Sequence, residues 1–118
     1  MTKRRMVTEI GLGTDIRGRD YTKAACRALK DALWHNSLGL ADIIGVDVDT
    51  MWVKVVIGIP QPDKVKTKEV LGILPHGKGD ISCVYGGLEI KNPNRDDYTV
   101  MANAAATVYL DIPDGYSA

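Results

Sequence analysis

The chain has 118 residues, of which 45% are apolar and 25% charged, an ordinary globular composition of a length typical of one domain. Fifteen basic and fifteen acidic residues cancel, which argues against a protein that must neutralise many nucleic-acid phosphates. No run approaches the ~18 apolar residues of a membrane span.

Lys3, Arg4 and Arg5 precede an apolar stretch broken by Thr8 and Glu9, without the pattern of a cleaved leader, so a cytoplasmic location is expected. Met6 to Leu12 alternates loosely and reads as a strand. The segment from Gly11 to Lys23 follows, with glycines at 11, 13 and 18 and cations at Arg17, Arg19 and Lys23; it reads as a ligand-handling loop feeding a helix. Asp20 is placed to cap that helix. From Tyr21 to about Ser37 apolar residues recur at Tyr21, Ala24, Ala25, Ala28, Leu29, Ala32 and Leu33, the stripe of an amphipathic helix. Its alanines make the stripe shallow, which predicts close packing on a sheet, with Gly39 as the stop.

Asp42 to Asp49 reads as a connection, and Met51 to Ile59 as a strand with Val53, Val55, Ile57 and Ile59 on one face. Pro60 and Pro62 end it. Lys66 to Leu74 reads as a short helix closed by Pro75 and Gly77. Asp80 to Lys91 reads as one strand interrupted at Gly86-Gly87, where a bulge or a close backbone approach is expected. After a polar turn at Asn92 to Asp97, strict alternation predicts a strand from Tyr98 to Ile112, with Val100, Ala102, Ala104, Ala106, Val108 and Leu110 on one face. The expected fold is α/β, a two-layer sandwich of about four strands with two helices on one face, in the order β-α-β-α-β-β. Oligomerisation would cover the other face.

Glu9-Ile10-Gly11, Gly13-Thr14-Asp15, Gly18-Arg19-Asp20, Thr22-Lys23-Ala24-Ala25 and His35-Asn36-Ser37-Leu38 together resemble a family of small conserved hypothetical proteins of bacteria and fungi, without an assigned activity. Two motifs also resemble one domain of the ring-opening amidohydrolases, the cyanuric acid hydrolase and barbiturase family, in which three similar domains surround a pseudo-threefold axis. Asp20-Tyr21-Thr22-Lys23 is similar to that family's helix-entry motif, and Tyr85-Gly86-Gly87-Leu88-Glu89 to its Ser-Gly-Gly-x-Glu. This second resemblance implies a homotrimer that rebuilds the threefold site from single domains. The family's catalytic lysine falls on Gly11 and its serine on Tyr85, so the Lys-Ser pair is missing.

No Walker loop, dinucleotide fingerprint or serine-hydrolase elbow occurs. His35, His76, Cys26 and Cys83 form no spaced ligand pair, so neither a metal nor a cofactor is expected, and both cysteines read as reduced core thiols. The candidates for proton transfer or nucleophilic work are Lys23, Tyr85 and Glu9. The candidates for ligand binding are Gly13, Asp15, Arg17, Arg19, Asp20, Gly86, Gly87, Glu89 and Asn103; the last is a lone amide in an alanine-rich strand that needs a partner if buried. The leading expectation is a homo-oligomer, a trimer by preference, that binds a small anionic or cyclic-amide metabolite between subunits. The alternative is a non-enzymatic structural or regulatory module whose glycine loop is only a stiff turn.

Overall fold

The computed structural model describes residues 2–34, 51–74 and 78–112. Five strands and two helices follow one another as β1 (Thr2–Asp15), α1 (Tyr21–Trp34), β2 (Trp52–Ile59), a 3-10 turn (Pro62–Lys64), α2 (Thr67–Leu71), β3 (Lys78–Tyr85), β4 (Leu88–Lys91) and β5 (Tyr98–Ile112). The sheet runs β1-β5-β2-β3, with β4 paired to β5 beyond the end of β2. All pairings are antiparallel except that of β2 with β3. The expected connection at Asp42 to Asp49, the stop at Gly39, the residues His35, Ser37, Pro75, His76 and Gly77, and the tail after Ile112 lie outside the described residues.

The mixed α/β fold with helices on one face agrees with the periodicities, and the expected count and order of strands do not. One reading, Asp80 to Lys91, covers two strands. β3 pairs with the outer edge of β2, whereas β4 pairs with β5 on the line that β2 vacates. The chain changes neighbours at Gly86 and Gly87, where it crosses close over Gly58. A Cβ on Gly86 would lie 3.1 Å from Gly58 Cα, and one on Gly87, at φ +64°, would lie 2.0 Å from Met101 O. Gly86 is tight enough that a side chain would push Gly58 aside by a few tenths of an ångström, and Gly87 has no room for one and a backbone that favours glycine as well.

A second correction concerns the glycine loop. β1 does not stop at Leu12 but continues to Asp15, so Gly11 and Gly13 are strand residues lying under α1. A Cβ at Gly11 would fall 2.3 Å from Ala32 N, and one at Gly13 would fall 2.2 Å from Ala28 N and 2.4 Å from Ala24 O. The repeats match: four helical residues rise about 6 Å, close to the ~6.6 Å of two strand residues. Successive turns of the Ala24, Ala28, Ala32 stripe therefore seat on alternate glycines, and the helix backbone rests directly on the strand. The close helix–sheet packing expected from the alanines is present.

Beneath the helices, Val53, Val55, Ile57 and Ile59 of β2 join Val100, Val108 and Leu110 of β5, Leu29 of α1 and Val70 of α2 in one fully buried cluster. Each such side chain contributes roughly 1.5–3 kcal/mol of hydrophobic stabilisation. α1 also closes the outer edge of β1, because Leu12 N donates to Asp31 Oδ2 at 2.9 Å and Arg27 Nη1 donates to Thr14 O at 2.7 Å. Such side-chain caps blunt an edge that would otherwise recruit another strand. No described helix is long and apolar enough to cross a membrane.

Candidate functional site

The first turn of α1 is held by two carboxylates used as local staples. Asp15, 5% exposed, accepts a hydrogen bond from Asp20 N at 2.9 Å, and Asp20 accepts one from Lys23 N at 3.0 Å, the N-cap expected of it. Between them Gly18 bridges to Tyr98. Arg19 takes a left-handed backbone, φ 49°, unusual for a residue with a side chain. The turn points its guanidinium away from Arg17.

Arg19 Nε donates to Glu89 Oε1 at 3.0 Å, and its guanidinium stacks 3.7 Å from the ring centre of Tyr98. Tyr21 OH donates to the same Glu89 oxygen at 2.5 Å and accepts from Gln61 Nε2 at 3.0 Å. One polar network thus joins the β1–α1 loop, α1, the loop after β2, β4 and β5. The hydrogen bonds from Arg19 and then Tyr21 hold Glu89 below the usual carboxylate range. Burial, followed by the hydrogen bond to Glu89, pushes the Tyr21 phenol upward. At neutral pH Glu89 is therefore ionised and Tyr21 protonated. Both groups are moved away from neutrality, and the network fixes the Arg19 and Tyr21 side chains on Glu89.

Three shallow depressions surround this end of α1. One, of about 400 Å³, is bordered by Arg19, Tyr21, Thr22, Gln61, Lys64 and Lys66. Its floor is tied by Lys66 N donating to Thr22 Oγ1 at 2.9 Å. A second, of about 470 Å³, lies over the β3–β4 crossing and is lined by Gln61, Tyr85, Gly86, Gly87 and Glu89 among others. The third, of about 630 Å³, is lined by Asp15, Ile16, Arg17, Gly18, Asp20, Lys23 and Arg27.

The residues expected to share one site are distributed among these places. Arg17 and Lys23 come together in the third depression with Asp15 and Asp20, and Arg19 turns to Glu89 beside the first. Gly86, Gly87, Glu89 and Tyr85, which is 85% exposed, belong to the second. Gly13 is under the helix and Asn103 on the opposite face of the sheet. Glu9 faces the helix side of β1 opposite Ala106, six residues or roughly 20 Å along the strand from Asp15. Lys23, Tyr85 and Glu9 share no depression.

Tyr21, Gln61, Tyr98, Lys64, Lys66 and Arg27 are site residues that sequence reasoning missed. Arg27 carried a usable signal, since it follows Lys23 by one helical turn on the same face. Tyr21 was readable as part of the apolar stripe and of the helix-entry motif, neither of which points to Gln61 or Glu89. Burial raises both cysteine thiols, Cys26 and Cys83. No group of three or more potential ligands is placed to hold a metal ion among the described residues.

A FtsZ-like protein of unknown function from Nostoc punctiforme PCC 73102, known from a crystal structure at 1.22 Å resolution, is 32% identical to this chain and superposes with a TM-score of 0.82. The similarity covers 94% of this chain and 98% of that one. No curated protein matches. A family model described as a conserved hypothetical protein (Lin0512_fam) matches residues 5–108, from β1 well into β5, and the chain belongs to that family.

Proposed function

We propose that this protein is a binding module for a small anionic metabolite, held in the depression of about 630 Å³ where Arg17, Lys23 and Arg27 meet the first turn of α1. The observation that carries this reading is the state of the two acids there. Asp15 and Asp20 are committed to backbone amides. Among the described residues Arg17 and Lys23 have no acidic partner within 4.0 Å, and Arg27 approaches Asp15 only at 4.0 Å. Two cations, Arg17 and Lys23, without an acidic partner among the described residues and beside a helix N-terminus, suit a carboxylate or phosphate group.

The reading stops at binding. The lysine of the ring-opening amidohydrolases corresponds to Gly11, where a Cβ would lie 2.3 Å from Ala32 N, so this chain has no room for it. Cyclic imides enter as the second ligand class to be screened, on the strength of the motif resemblance alone.

Isothermal titration with inorganic phosphate, small dicarboxylates and cyclic imides tests the proposal. Arg17→Ala and Lys23→Ala are each expected to weaken an anion by about tenfold or more, the weight of one charge-assisted hydrogen bond. Equal binding by wild type and both variants, or no binding of any anion, would refute it.

A further inference from the structure

The side of the sheet away from the helices carries an apolar patch built in register across the strands. Leu12, Asn103, Gly58 and Val84 form one row across β1, β5, β2 and β3, and Ile10, Ala105, Val56 and Ser82 form the next. Leu88 and Ile90 of β4 extend the patch beside Met101 and Thr99. Asn103, Gly58 and Ala105 are small beside Ile10 and Leu12 on one side and Val84 and Leu88 on the other, while Val56 and Met101 stand between them. Ile10 is 65% exposed, Leu12 52%, Leu88 54% and Ile90 58%. Isolated exposed apolar residues are ordinary, whereas a contiguous patch of this kind marks a contact surface.

We propose that this face is the contact surface for a second copy of the chain, with Asn103 at its centre. Size supports the assignment. With its polar margin included, the face of four strands about 4.8 Å apart and eight residues long at about 3.3 Å each spans on the order of 500 Å² in projection. Side-chain relief brings that close to the ~800 Å² of accessible surface that each partner buries in a standard interface. The chemistry of Asn103 selects the occupant. Its side chain makes no hydrogen bond among the described residues, and an amide carries both donors and an acceptor. A two-fold axis passing through Asn103, at the centre of the patch, sets amide against amide in a reciprocal pair, as an isologous contact does for a residue on its axis.

The rest of the surface agrees. Lys3, Arg5 and Lys54 lie toward the far end of the same face, in register with Asp111, Tyr109 and Thr107, so the apolar patch has a polar margin. The outer edge of β1 is closed by Asp31 and Arg27, which leaves the face and not that edge for association. This surface is separate from the anion depression, and either proposal can fail without the other.

Light scattering on the full chain at tens of micromolar tests the proposal. The expected mass is twice the 12.8 kDa of one chain. Leu12→Lys and Ile90→Lys are each expected to reduce it to a single chain while preserving the far-ultraviolet circular dichroism of the wild type. Lys30→Glu, on the outer side of α1, is expected to change nothing. Asn103→Asp opposes two carboxylates across the axis and is expected to raise the dissociation constant about tenfold or more. A wild type that is monomeric or trimeric, or a dimer that survives Leu12→Lys, overturns the proposal; a dimer indifferent to Asn103→Asp removes Asn103 from its centre.

Discussion

The two faces of β5 are built from similar side chains and meet opposite surroundings. Toward the helices, Ala102, Ala104 and Ala106 sit between Val100, Val108 and Leu110 and are buried by the core. Toward the other side, Ala105 and Asn103 sit between Met101 and Thr107 under no described helix. The difference lies in the strands alongside. On the helix face β1 supplies Gly11 and Gly13, whose missing side chains let α1 descend onto the sheet. On the open face the same strand supplies Ile10 and Leu12, which stand up as a wall. One strand thus provides a seat for a helix on one side and a rim for a partner on the other, because its residues alternate between nothing and a large aliphatic group.

The contrast is broken most severely at the seat. Gly13→Val places side-chain atoms inside the backbone of α1, and the helix must lift from β1. Urea unfolding is expected to show a loss of about 3 kcal/mol or more, the upper part of the range for overpacking. The second test concerns the end of the helix and not its seat. Glu89 has a folded pKa below its unfolded one, so its contribution to stability is present above the ordinary carboxyl value of about 4.3 and is lost as the pH falls through the lower folded value. Glu89→Gln is expected to reduce stability at pH 7 by less than Gly13→Val does and to flatten the acid limb of the stability curve. An unchanged acid limb in denaturant titrations at several pH values would show that the network contributes nothing there. The smallest effect is expected on the open face. Leu12→Lys, measured at a concentration where the wild type is also a single chain, should alter unfolding free energy by about 0.5 kcal/mol or less, as exposed substitutions do. Equal penalties at Leu12 and Gly13 would erase the distinction between the two sides.

The candidate site teaches a related lesson about glycine and charge. Gly11, Gly13, Gly86 and Gly87 all read in the sequence as backbone that something approaches closely. For Gly86 and Gly87 the expected close approach is made by Gly58 and Met101, whereas Gly11 and Gly13, expected in a ligand-handling loop, are strand residues approached by the backbone of α1. The cluster of Arg17, Arg19 and Lys23 was legible as positive charge beside a helix start, and its division between two depressions was not. A single left-handed residue, Arg19, turns one cation toward Glu89, seventy positions away in sequence. The network around Tyr21 was hidden for the same reason, since its partners Gln61 and Glu89 come from other elements.

Local periodicity by itself determined the α1 stripe, the β2 and β5 strands, the cap at Asp20 and the placing of helices against a sheet, because each depends on residues within a turn or a pleat of one another. The small conserved hypothetical family was likewise legible from motifs distributed along the chain. Tertiary structure alone decided that β1 runs on through its glycines, that the segment around Gly86 and Gly87 divides into two strands with different neighbours, and that Arg19 pairs with Glu89. Glycine announces that space is needed without naming what will fill it, and a charge announces a partner without saying from which strand it will come. Those answers depend on contacts between residues distant in sequence, which form only when the sheet is assembled.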